Sequence, residues 1–267
     1  MNRALRQLRH LALDLDGTLY LGGRLFDATL PFLRTLRDLR IGRTFFTNNS
    51  SRSTKQYVEH LNHLGIDASV DDIFSSTHCT LGYLREERPD IRRLFVLGTP
   101  ALQEEFAESG FPLDEKNPDA VIVGFDTTLT YDRLCQAAWW ISKGKPFIAT
   151  HPDRVCPTDK PTVLPDCGAI CKLLAHATGR EPDAVLGKPD PRMLKGIFQK
   201  HHLEPRELAV VGDRLYTDMV MARSAGAMGI LVLSGETTRE QANAATPRPD
   251  LVVKDVGELL SLLREQR

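Results

Sequence analysis

The sequence predicts a doubly wound parallel α/β sheet interrupted by a long α/β insertion, and three observations predict it. Short apolar strands alternate with amphipathic helices up to Gly65, and again from Ala184 to the C-terminus, which is the rhythm of strand–helix–strand units. Four of these strands run into polar clusters, at Asp14/Asp16, Thr47/Asn48, Lys188 and Asp213. Between the two tracts, over 77–178, strands and helices continue with a changed rhythm, as an inserted domain would. The expected division is a first core segment at 1–76, an α/β cap at 77–178 and a second core segment at 179–267.

The elements follow in order. Leu11-Ala12-Leu13 reads as a strand that ends in Asp14-Leu15-Asp16-Gly17-Thr18, and Gly22-Gly23 marks a β-turn. Asp27 is placed to cap a helix to Arg40, with Phe32, Leu33, Leu36 and Leu39 on one face. A strand over Arg43–Phe46 stops at Thr47-Asn48-Asn49-Ser50, and a helix follows from Ser53 to Leu64.

In the insertion the pattern predicts helices over Cys79–Glu87, Pro100–Ser109, Tyr131–Lys143 and Gly168–Thr178. It predicts strands over Leu94–Leu97, Ala120–Val123 and Pro146–Thr150. His151 to Asp166 carries Pro152, Pro157, Pro161 and Pro165, a density that excludes a continuous helix and favours a shaped loop. The core rhythm resumes with a strand at Ala184–Gly187 and a helix over Arg192–His201. A strand over Leu208–Val211 precedes a helix ending at Ala225. A strand at Gly229–Leu233 and a final strand–helix pair close the chain.

Composition narrows the function. With 267 residues the chain has room for two domains, and 42% hydrophobic with 26% charged residues is globular composition. A formal charge of −1 gives no general attraction to nucleic acid or anionic lipid. No apolar run is long enough to span a bilayer, and the run after Arg9 stops at Asp14, short of a signal segment. The five scattered cysteines point to reduced thiols and a cytoplasmic protein.

In an open parallel sheet the C-terminal strand ends share one edge, where ligands bind. A phosphate monoester is the ligand that gives each strand end a task. Asp14, at the very end of its strand, has a nucleophile's placement, and Asp16 is close enough to move a proton to a leaving oxygen and from water. Asp14, Asp16 and Asp213 would repel a phosphate dianion, each like-charge pair about 4 Å apart costing about 4 kcal/mol at an effective dielectric of about 20. A divalent cation is therefore required, and an all-oxygen donor set favours Mg²⁺. Lys188 supplies positive charge, and Thr47 and Asn48 offer hydroxyl, amide and backbone donors to phosphate oxygens.

Asp14-Leu15-Asp16-Gly17-Thr18, Thr47-Asn48-Asn49, Lys188-Pro189 and Gly212-Asp213-Arg214-Leu215-Tyr216-Thr217-Asp218 together resemble the four motifs of the haloacid dehalogenase superfamily. The long insert between the second and third motifs is similar to that of the NagD-like and p-nitrophenylphosphatase-like branch. The resemblance implies a Rossmann-like core with a C2-type cap and an Mg²⁺-dependent aspartyl-phosphate mechanism. It makes Asp14 the nucleophile and Asp16 the general acid/base. It puts Mg²⁺ on Asp14, the Asp16 backbone carbonyl and Asp213, with Asp218 behind them. It also implies a homodimer paired through the caps.

The leaving group must be read by the cap. Its proline-rich segment contains His151, Asp166, Cys167 and Gly168, the expected substrate contacts, with His151 and Asp166 suited to sugar hydroxyls. The expected substrate is a small phosphorylated metabolite: a sugar phosphate, glycerol phosphate, phosphoglycolate or nucleoside monophosphate. A phosphotransferase or mutase using the same intermediate and a non-catalytic phosphate-ligand-binding protein are the alternatives.

Overall fold

The structure, a computed structural model, describes residues 2–156 and 162–266; Pro157 and Pro161 of the expected loop lie outside the described residues. Contacts divide the chain into two compact units. One comprises Met1–Phe46, Val58–Ile73 and Pro191–Arg267, and the other Thr47–Tyr57 and Phe74–Asp190. The segment after Phe46 falls in the second unit because its side chains bond there: Asn48 to Lys188, Ser50 to Thr150 and Thr54 to Glu105.

The first unit is built on a six-stranded sheet. Its order is Leu251–Val253, Met228–Val232, Leu208–Gly212, His10–Leu13, Gly42–Thr47 and Ile73–Ser75. The pairings among the first five strands are all parallel, and Leu13 stands between Val211 and Phe45. Strands covered on both faces must be apolar throughout, which explains the unbroken runs at Leu11–Leu13 and Leu208–Val211.

Amphipathic helices cover the sheet. Val256–Glu265 packs on Thr29–Asp38 and is capped by Asp255, whose carboxylate accepts from the Gly257 and Glu258 N–H groups. The helix expected to start from Asp27 begins at Thr29 with no side-chain cap; Thr29 sends its hydroxyl to the Leu19 carbonyl instead. The single helix expected before Ala225 is a π-helical turn, Leu215–Met219, followed by Val220–Ser224. The helix Asn2–Gln7, the strand Ile73–Ser75 and the helix Arg239–Ala244 go beyond the sequence expectation.

The second unit carries a parallel four-stranded sheet in the order Ala184–Val185, Phe147–Ala149, Ala120–Val123 and Leu94–Leu97. Its core joins Phe95, Val121, Val123 and Phe147 to Ala137, Ile141, Ile170 and Leu174. Each large apolar side chain buried in this way contributes about 1.5–3 kcal/mol. The helices start where short polar side chains take up free N–H groups. Thr99 caps Pro100–Glu108, Thr130 caps Tyr131–Ser142 and Asp166 caps Cys167–Thr178. Within the expected irregular segment, Val155–Cys156 pairs antiparallel with Leu164–Pro165. No described helix is long and apolar enough to cross a membrane.

Candidate active site

Asp14 follows the last residue of the central strand and stays in line with it, its N–H donating to the Val211 carbonyl at 2.9 Å. The chain then turns sharply: the Leu15 carbonyl accepts from the N–H groups of Thr18 and Leu19. The strand thus ends at Leu13, and Asp16 forms an isolated bridge with Tyr20. The Thr18 hydroxyl, fully buried, donates to Asp14 Oδ2 at 3.2 Å and fixes that carboxylate.

Asp14, Asp213 and Asp218 form one buried carboxylate cluster, their nearest oxygens all within 4.8 Å of one another. Asp213 reaches it from the end of Leu208–Gly212, and Asp218 from the π-helical turn that follows, its Oδ2 accepting the Arg214 N–H at 3.2 Å. Burial, with the negative charges of Asp14 and Asp218, pushes the Asp213 pKa up to about 7. Its Oδ1 is buried without a hydrogen-bond partner among the described residues. Three crowded carboxylates, one of them with an unsatisfied oxygen, and no nitrogen or sulfur donor fit a hard divalent cation.

A loop that the sequence reading did not single out holds this cluster. After the strand Met228–Val232, Ser234 donates to the Gly17 carbonyl at 2.7 Å, and the Glu236 N–H donates to Asp213 Oδ2 at 2.7 Å. Gly235 passes so close to Asp213 that any Cβ there would overlap its carboxylate. The Glu236 side chain is tied in turn by Arg214 Nε at 2.9 Å and the Tyr216 hydroxyl at 2.9 Å. The signal was present, since Ser234-Gly235-Glu236 is another polar cluster at the end of an apolar strand.

The other expected phosphate residues lie in the second unit. Thr47 is 5% exposed and its hydroxyl oxygen accepts the Asn49 N–H at 3.1 Å, which leaves its O–H proton for a further acceptor. Lys188 is 4% exposed. Asn48 was expected to offer its amide to phosphate, but both ends of its carboxamide are engaged by protein groups. Oδ1 accepts the Lys188 N–H, and Nδ2 donates to the Lys188 carbonyl and to Asp153.

Of the expected cap contacts, His151 and Asp166 face each other, with Nε2 3.5 Å from Oδ1, and Asp153 stands 3.9 Å from the other imidazole nitrogen. Gly168 sends its N–H to the Asp153 carbonyl. Cys167, expected to meet substrate, is instead a core residue: its thiol is fully buried, donates to the Val123 carbonyl and lies 4.0 Å from the Cys171 sulfur.

The chain is similar to known proteins over most of its length. The family model for haloacid dehalogenase-like hydrolases matches residues 11–112, and a HAD-hydrolase-like model matches 185–259. An acid sugar phosphatase of Staphylococcus haemolyticus is 31% identical over 95% of both chains. The crystal structure of 4-nitrophenylphosphatase from Thermotoga maritima superposes with a TM-score of 0.92 at 42% identity, covering 97% of this chain and 98% of that one. A glycerol phosphate phosphatase from Mycobacterium tuberculosis, solved with magnesium, gives a TM-score of 0.88 at 31% identity over 96% of this chain and 78% of its own.

Proposed function

The chain belongs to the haloacid dehalogenase-like hydrolases, and we propose that it is an Mg²⁺-dependent phosphatase hydrolysing small phosphate monoesters through an aspartyl-phosphate on Asp14. The observation that carries this reading is the buried cluster of Asp14, Asp213 and Asp218 with its unsatisfied Asp213 oxygen. Asp14, the backbone carbonyl of Asp16 and Asp213 would hold the cation, beside Asp218, and its charge offsets the repulsion between these carboxylates and a phosphate dianion.

The protein's own groups divide the remaining work. Asp14 attacks phosphorus, so that its O–P bond forms as the ester P–O bond breaks, and Asp16 gives its proton to the departing oxygen. Asp16, now a base, takes a proton from water; the resulting hydroxide attacks phosphorus, releases inorganic phosphate and restores the Asp14 carboxylate. Thr47 and Lys188 take charge on the non-bridging oxygens. The magnesium in the mycobacterial structure, and the sugar, glycerol and nitrophenyl phosphates of the relatives' names, support both the cation and a small monoester.

The test is phosphate release from p-nitrophenyl phosphate. Turnover is expected with Mg²⁺, lost with EDTA and restored by added Mg²⁺. Turnover unaffected by chelation contradicts the cation's role, and transfer only to an added acceptor alcohol contradicts hydrolysis.

A further inference from the structure

The Asn48 side chain leaves the strand end at Thr47 and is 4% exposed. Its carboxamide oxygen accepts the Lys188 N–H at 2.6 Å, and its nitrogen donates to the Lys188 carbonyl at 3.0 Å. The two bonds grip both polar ends of one residue's backbone, as a neighbouring strand would. The second amide hydrogen goes to Asp153 Oδ1 at 3.1 Å. These partners fix the amide's orientation, because a flipped carboxamide would set nitrogen against an N–H and oxygen against a carbonyl and a carboxylate. Both donors of the amide are therefore spent on protein.

The surroundings are built to this approach. Gly187, at φ +71°, lies against the clamp: a Cβ there would stand 2.7 Å from Asn48 Oδ1 and 2.7 Å from the His151 Cβ. The other oxygen of Asp153 lies 3.9 Å from His151 Nδ1, and His151 Nε2 lies 3.5 Å from Asp166 Oδ1. Asp166 in turn accepts the Cys167 N–H at 2.6 Å as cap of the helix Cys167–Thr178. A continuous line of polar groups thus runs from the Lys188 backbone to the start of a helix packed in the core of the unit.

We propose that Asn48 and Asp153 are positioning residues for Lys188: the carboxamide holds the lysine's backbone, the carboxylate holds the carboxamide, and together they set where the ammonium meets phosphate. Asn48 then serves the phosphate through the lysine and not through its own side chain. The inference rests on Lys188 binding phosphate, as proposed above. A charged group misplaced by about 1 Å costs on the order of 10²-fold in rate, which sets the size of effect expected on removing the clamp.

The experiment measures kcat/KM for p-nitrophenyl phosphate at saturating Mg²⁺, and competitive inhibition by inorganic phosphate, in Asn48→Ala, Asp153→Ala, Asp153→Asn, Lys188→Ala and the double variant Asn48→Ala/Lys188→Ala. Thermal melting of each reports on folding. Asn48→Ala is expected to lose about 10²-fold in kcat/KM and to weaken inhibition by phosphate. Asp153→Asn, which keeps an oxygen to accept from Asn48, should recover most of what Asp153→Ala loses. The double variant is expected to match Lys188→Ala alone, because a residue that acts through the lysine has nothing left to position. Additive losses in the double variant overturn the inference while leaving the lysine's role standing, and so does an Asp153→Asn variant no better than Asp153→Ala. Full activity in Lys188→Ala overturns the lysine's role and the inference together.

Discussion

Asp213 is 3% exposed, and burial together with Asp14 and Asp218 lifts its pKa from 3.8 to about 7. An acid whose pKa is raised on folding binds more protons folded than unfolded. Without a cation, its contribution to stability therefore falls as pH rises from about 4 to about 7. A divalent cation held by the cluster, as proposed above, would turn this unfavourable contribution into a favourable one. Mg²⁺ is expected to raise the melting temperature at pH 7.5, since cation at about 100 times its dissociation constant adds about 2.7 kcal/mol. Asp213→Asn should melt higher than the wild type without Mg²⁺ and show no Mg²⁺-induced shift. Calorimetry checks both, and a wild-type melting temperature indifferent to Mg²⁺ contradicts the cluster's assignment.

The loop Ser234–Glu236 is the element that sets Asp213, through the Glu236 N–H and the close passage of Gly235. Gly235→Ala is expected to push the carboxylate aside and to raise the Mg²⁺ concentration needed for half-maximal activity by about 10–100-fold, as loss of support behind a metal ligand does. Titration of activity against Mg²⁺ measures it, and an unchanged midpoint would show that the loop does not hold the ligand. Elements that announce themselves by apolar runs were legible in the sequence: Leu94–Leu97, Ala120–Val123 and Arg192–His201 fall where the pattern puts them. Arg239–Ala244 was missed although Thr238 and Gln241 form a capping box, because too few apolar residues follow to give a helical period. The ends of the core strands were equally legible, since Asp14, Thr47 and Asp213 each end an apolar stretch; the strand before Lys188, expected to resume the core, is only Ala184–Val185 and pairs with Phe147–Ala149 in the second unit's sheet. The clamp on Lys188 was not, because Asn48 finds its partners 105 and 140 positions away and nothing local distinguishes it from a turn residue. Cys167 was misread for the same reason: only packing against Val123 and Cys171 shows that its thiol points inward.

At the scale of the whole molecule, a six-stranded and a four-stranded sheet carry the two cores, and a buried histidine is built into the first of them. His10 is 3% exposed in its strand, bonded to the Thr44 hydroxyl at 2.8 Å and 4.2 Å from the His201 ring. Burial and then the nearby His201 outweigh the opposing pull of Asp72, with a smaller push from Lys200, and lower its pKa from 6.5 to about 3. The unfolded chain then binds the extra proton between those values. The contribution of His10 is complete above about pH 6.5 and is lost as pH falls toward 3, opposite in sign to that of Asp213. In an Asp213→Asn background, denaturant unfolding should show lower stability at pH 5 than at pH 7, and adding His10→Gln should flatten that slope. A slope unchanged by His10→Gln would place the acid sensitivity elsewhere.

The strand end at Asp14 carries the central claim, that the carboxylate itself takes the phosphoryl group. Acid quenching during turnover of p-nitrophenyl phosphate with Mg²⁺, followed by peptide mass spectrometry, tests it most directly. The expected result is one phosphoryl group on the peptide containing Asp14, absent without Mg²⁺ and absent in Asp14→Asn, which should release no phosphate. A phosphoryl group on another residue, or an Asp14→Asn variant that still turns over, would contradict the account.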